Sequence, residues 1–122
     1  MSWLFVVLSL LFLKHWIIDF VMQTNDMVEV KAIYGNRMGV LHSLQHALAT
    51  LLILLFFVDP LIAVALAWFD LITHYHIDYI KMNYGSRDIN TKAFWSHLGL
   101  DQMAHNFVYL IIVWIYWYER TN

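Results

Sequence analysis

Six pairs of His and Asp residues spaced i,i+4 recur along this chain of 122 residues: His15/Asp19, His42/His46, Asp70/His74, His74/Asp78, His97/Asp101 and Asp101/His105. They use ten of the fourteen His and Asp residues present; chance placement would give only about one or two such pairs, and helical residues four apart share a face. Two side chains so placed can converge on one ion. Imidazole with carboxylate suits Zn²⁺ best, and Mn²⁺ or Fe are also compatible. Cysteine is absent, which excludes thiolate ligands. The expected ligands are His15, Asp19, His42, His46, His74, Asp78, Asp101 and His105. Such a set exceeds the roughly four donors of one tetrahedral zinc, so two ions suit it better than one. Two-ion sites are typical of phosphoester hydrolysis.

The competing explanation is structural, because a lone buried histidine is more often hydrogen-bonded than metal-bound. Polar side chains can also tie transmembrane helices together. Gln and Asn would serve that purpose without so many titratable groups, and the clustering favours metal.

The elements that must position these residues are apolar. The chain is 61% hydrophobic, 17% aromatic and 13% charged, with a mean hydropathy of +0.60. A soluble domain this small would struggle to bury so much apolar surface, whereas lipid as solvent removes the difficulty. A net charge of −2 gives no electrostatic case for nucleic acid. Four apolar stretches, 3–22, 40–58, 61–80 and 103–118, approach the ~20 residues that span a bilayer core. They predict one all-α domain over 1–122, an integral membrane four-helix bundle, with an oligomer compatible. Residues 91–100 suggest a short interfacial helix carrying Phe94, Trp95 and Leu98. Asp59-Pro60 joins the second and third spans, and proline suits a helix start. The first span lacks a basic leader region and a small-residue cleavage pattern, so it reads as a retained helix.

In an up-down arrangement the late ends of spans one and three meet the early ends of spans two and four. His15/Asp19, His42/His46, His74/Asp78 and Asp101/His105 then lie at one depth, within about two turns of the interface. The long connections carry Lys31, Arg37, Lys81, Arg87 and Lys92, against Arg120 on the other side. That bias places the connections in the cytoplasm and both termini outside an inner, cytoplasmic membrane.

Other polar residues are less specific. Asp70, one turn deeper, reads as a partner orienting His74 or as a proton acceptor; Asp101 is the alternative acceptor. Gln23, Lys31, Lys81 and Gln102 could orient and neutralise substrate, although anchoring at the interface is the plainer role for the lysines. His76 is out of phase with His74, and His97 is a weaker ligand candidate than His105. Ser43 and Ser96 lack a G-x-S-x-G setting, and neither a P-loop nor H-E-x-x-H occurs.

The pieces HWIIDFVMQ followed by Lys31, HSLQH, HYHIDYIK and LDQMAH occur in this order over about residues 10–110. In these the chain resembles a family of small bacterial and phage membrane proteins known as domain of unknown function 3307. It is also distantly similar to predicted membrane-bound metal-dependent hydrolases with comparable His and Asp pairs, and that resemblance implies a hydrolase.

The function expected is metal-dependent hydrolysis of an ester or phosphoester in a membrane lipid or lipid-linked substrate, with metal-bound hydroxide as nucleophile. A metal or proton transporter is one alternative, but it needs polar access from both faces and the outer halves of these spans hold few polar residues. A non-enzymatic membrane protein with a structural His/Asp core is the other.

Overall fold

In the computed structural model, which describes residues 2–121, every regular element is helical. Helix α1 (Ser2–Trp16) runs on into a π-helical segment, Ile17–Met22, and the short α2 (Asn25–Val30) follows. Three long helices complete the chain: α3 (Arg37–Leu54), α4 (Pro60–Tyr84) and α5 (Lys92–Thr121). Side-chain caps set the starts. Thr24 Oγ1 accepts from the Met27 amide at 3.3 Å, Asn36 Oδ1 from Met38 at 2.9 Å, and Asp59 Oδ1 from Leu61 at 2.8 Å. These satisfy amides that have no partner within the helix, and Pro60 adds a preset φ in the first turn of α4.

Two boundaries differ from those the sequence predicts. Residues 91–100 are not a separate interfacial helix but the first turns of α5, which begins where Thr91 Oγ1 accepts from the Phe94 amide at 3.2 Å. Gly99 lies inside that helix and does not break it, consistent with a cost of only about 1 kcal/mol for one helical glycine. The short helix is found instead in the first connection, as α2. The first span also ends in a π turn rather than a regular one. Such turns recur at functional sites, and this one carries Asp19.

Helix α1 packs against α3 and α5, and α4 packs against the same two, so α1 and α4 face each other diagonally. The early part of α1, the end of α3, the start of α4 and the later part of α5 meet in an apolar core. Val7, Leu11, Leu54, Ala63, Leu66, Ile112 and Tyr116 are buried there. At the opposite end the interior is polar: Asp19, His42, His46, His74, Asp78, Asp101 and His105 are all buried. The outer surface is apolar, with Phe5, Phe12, Trp16, Leu48, Leu52, Trp68, Ile72, Phe107, Ile111 and Trp114 exposed. Charge inside and hydrocarbon outside inverts the usual distribution in water.

Among the described residues, three helices are long and apolar enough to cross a membrane: Trp3–Met22, Pro60–Tyr84 and Lys92–Thr121. Helix α3, the counterpart of the stretch 40–58, stands apart from these. It ends at Leu54, and Arg37, His42, Gln45 and His46 lower its hydropathy, although Leu41, Leu44, Leu48 and Leu52 face outward.

Candidate metal centre

Four elements deliver donors to one buried place. The π segment brings Asp19, α3 brings His42 and His46, α4 brings His74 and Asp78, and α5 brings Asp101 and His105. Within α3, α4 and α5 the i,i+4 spacing does what helical geometry requires, turning both members of a pair toward the interior. Asp19 Oδ1 is the hub of a first group, with the Nε2 atoms of His42, His46 and His74 at 2.9, 3.0 and 3.8 Å. The Nε2 atoms of His42 and His74 are 3.3 Å apart. A second group comprises Asp78, Asp101 and His105: His105 Nε2 lies 3.4 Å from Asp78 Oδ1 and 3.6 Å from Asp101 Oδ1.

These separations fit an ion. Four ligands about 2.0–2.2 Å from a tetrahedral centre stand about 3.3–3.6 Å from one another. The distances in the two groups scatter around that range. Asp101 Oδ1 and His105 Nε2 are buried without a hydrogen-bond partner, a costly arrangement that a shared cation would relieve. In each group the donor atoms lie within 4.8 Å of one another, so the residues present could hold a metal ion. Nitrogen dominates the first group, which suits zinc; carboxylate dominates the second, which also suits Mn²⁺.

His15 stands differently from the other expected ligands. Its Nδ1 is 2.8 Å from the Tyr109 hydroxyl, and its Nε2 is 3.0 Å from Gln102 Oε1 and 3.2 Å from Asp19 Oδ2. Both ring nitrogens are therefore engaged, and the ring steadies Asp19 through its other carboxylate oxygen. A His15/His74/His105 grouping is nonetheless close enough to hold an ion.

Gln102 also donates to Asp101 Oδ2 at 3.0 Å, linking His15 to Asp101. Gln23 Nε2 donates to the Asp19 carbonyl at 3.1 Å, and Gln23 Oε1 accepts from Lys31. Lys31 is buried, with Nζ 2.7 Å from Asp78 Oδ2, so it belongs to the site rather than to the loop surface. Lys81 joins Gln23, Lys31, Asp78, Asp101 and Gln102 around a cavity of about 50 Å³ against the two groups. All four expected substrate contacts therefore line one small space.

Asp70 lies apart from it. Lys14 Nζ holds Asp70 Oδ2 at 2.7 Å and Thr50 Oγ1 donates to the same oxygen at 2.5 Å. No hydrogen bond joins Asp70 to His74, whose Nδ1 has no partner. His76 is exposed, bonded to the Ile72 carbonyl at 2.7 Å and near the Tyr34 hydroxyl at 3.2 Å. His97 accepts from the Ser86 amide at 2.8 Å and is absent from both groups.

The residue that sequence reasoning missed is Lys14. Its ammonium is buried between Asp70, the His46 carbonyl and His46 Nδ1, the latter two each at 3.3 Å, and lies 4.7 Å from the centre of the Tyr109 ring. The available signal was a single lysine inside an apolar run, since an ionisable group there marks a functional or paired position by default.

A family model described as a protein of unknown function, DUF3307, matches residues 7–122. No curated protein and no solved structure matches the chain. The match begins before His15 and takes in every donor of the buried centre, and on that coverage the chain belongs to the DUF3307 family of proteins of unknown function.

Proposed function

We propose that this protein is an integral membrane four-helix bundle that uses bound divalent metal, zinc by preference, to hydrolyse an ester or phosphoester in a lipid-borne substrate at the cytoplasmic face. The observation that carries the reading is the convergence of buried donors from four elements, in which Asp101 Oδ1 and His105 Nε2 stand 3.6 Å apart without a well-formed hydrogen bond. A structural polar core would be expected to satisfy such atoms internally. Asp19, His42, His46, His74, Asp78, Asp101 and His105 would hold the metal. When bound, the metal supplies activated water at neutral pH and stabilises developing negative charge. Asp101 is the proton acceptor of this proposal, because Lys14 and Thr50 already occupy Asp70. Lys31 and Lys81 neutralise the anionic substrate group, and Gln23 and Gln102 fix Asp19 and Asp101.

The apolar outer face of α3 supports its place as a fourth membrane helix, solvated by lipid while its histidines face inward. The apolar core around Leu11, Leu54, Ile112 and Tyr116 closes the end opposite the site. That closure speaks for a one-sided enzyme over a transporter, which needs access from both sides.

Activity on phospholipids or polyprenyl phosphates in detergent micelles is expected to vanish with a chelator and to return with Zn²⁺ or Mn²⁺. Turnover that ignores chelator, or metal movement into liposomes without turnover, would refute the proposal. The orientation has its own test. With Arg37, Lys81, Arg87 and Lys92 at the site end and Arg120 at the other, a C-terminal alkaline phosphatase fusion should be active and a GFP fusion dark. The reverse pattern would place the site on the outer face.

A further inference from the structure

The two donor groups are unequal, and one carboxylate stands between them. Asp78 Oδ2, which Lys31 Nζ also holds at 2.7 Å, faces His74 Nε2 at 3.3 Å and His42 Nε2 at 3.6 Å, while Asp78 Oδ1 faces His105 Nε2 at 3.4 Å. One oxygen toward each group is the arrangement of a bridging carboxylate, and paired catalytic ions stand about 3.5–4 Å apart. Asp19, His42, His46 and His74 supply four donors to the first group, and the bridging Asp78 Oδ2 adds a fifth. Asp78, Asp101 and His105 supply three to the second, whose fourth donor must come from solvent or substrate. A site whose positions are all filled by protein is typically structural, and one with three protein ligands catalytic.

Charge separates the groups further. With neutral imidazoles, the carboxylates of Asp19, Asp78 and Asp101 face the buried Lys31 ammonium, the neighbouring Lys14 being offset by Asp70. The excess of two negative charges is cancelled by one divalent ion. A second ion leaves the enclosed site positive, and uncompensated buried charge is unfavourable. An anion in the adjoining cavity of about 50 Å³, beside Lys31 and Lys81, would restore the balance.

Building on the metal reading above, we propose that Asp78 bridges a tight ion position and a weaker one, and that the weaker position fills together with an anionic phosphate group. This names phosphoester, rather than uncharged ester, as the substrate class. The phosphate group could belong to a lipid headgroup or be free in solution.

The test is Mn²⁺ and Zn²⁺ binding by full-length protein in phosphatidylcholine nanodiscs, followed by metal analysis and Mn²⁺ paramagnetic resonance. One arm adds inorganic phosphate and another includes phosphatidic acid in the disc. Wild type is expected to take two ions, the second tightened about tenfold or more by a phosphate group, within the usual range of coupling between sites. Tightening by the lipid alone assigns the group to a headgroup; tightening by inorganic phosphate assigns it to the free ion. Asp101→Asn and His105→Gln should each lose the second ion and the phosphate effect while keeping the first. Helical circular dichroism and a monodisperse profile would confirm folding. A wild type that takes one ion regardless of phosphate, or variants that lose both ions together, would overturn this inference and leave the metal reading intact. A wild type that takes none would refute the metal reading itself.

Discussion

Asp19→Asn is expected to lower lipid phosphoester hydrolysis by at least about 100-fold, and Asp101→Asn by about 10²–10⁴-fold, the range typical of losing a positioned acid–base group. The two changes act differently. Asp19 Oδ1 is shared by three histidine Nε2 atoms, so an amide there should weaken the whole first group and lower the metal content as well as the rate. Asp101 has one oxygen held by Gln102 and the other unpartnered beside His105. Its amide should leave the first group loaded while turnover fails. Lys81→Ala, at the cavity wall, should mainly raise KM. Rates and metal content measured on the same preparations check this, and an Asp101→Asn protein with full activity would remove Asp101 from the chemistry.

The second large effect is on stability. Lys14 and Asp70 form an ion pair at 2.7 Å across the diagonal between α1 and α4, with both side chains buried. Removing one partner of such a pair typically costs about 3–5 kcal/mol, because the other charge is left uncompensated, whereas replacing both by apolar groups is often neutral. Lys14→Met and Asp70→Leu should therefore each strongly destabilise the protein in a detergent unfolding titration. The double variant Lys14→Met/Asp70→Leu should recover most of the loss, less the contribution of the Thr50 hydroxyl that donates to the same carboxylate. If the double variant is as unstable as the singles, the pair is not the source of the effect.

That pair also shows where sequence reading stops. Lys14 and Asp70 are 56 positions apart, and no local spacing connects them. His42/His46, His74/Asp78 and Asp101/His105 were legible because their pairing is a property of one helix, and helical geometry alone aligns them. The assembly of those pairs at one depth followed from the alternation of apolar spans and polar connections. The engagement of His15 by Tyr109 and Gln102 depends on packing between α1 and α5, which periodicity does not encode. The length of α5 was missed because the polar residues around Gln102 look like a boundary. In the fold they continue the helix, with Asp101 turned into the interior and Trp95 and Leu100 outside. Lys31 reads as a loop charge in sequence, yet the chain folds it back onto Asp78.

If donors from four elements form a metal centre, protein purified without chelators carries the metal with it. Wild type is expected to carry about one to two equivalents of a transition metal, chiefly zinc, by mass spectrometry. His42→Ala/His46→Ala, which removes two of the four donors in the first group, should retain little while remaining helical in detergent. Wild type and variant equally free of metal, and equally unable to take it up from added Zn²⁺, would rule out a metal centre.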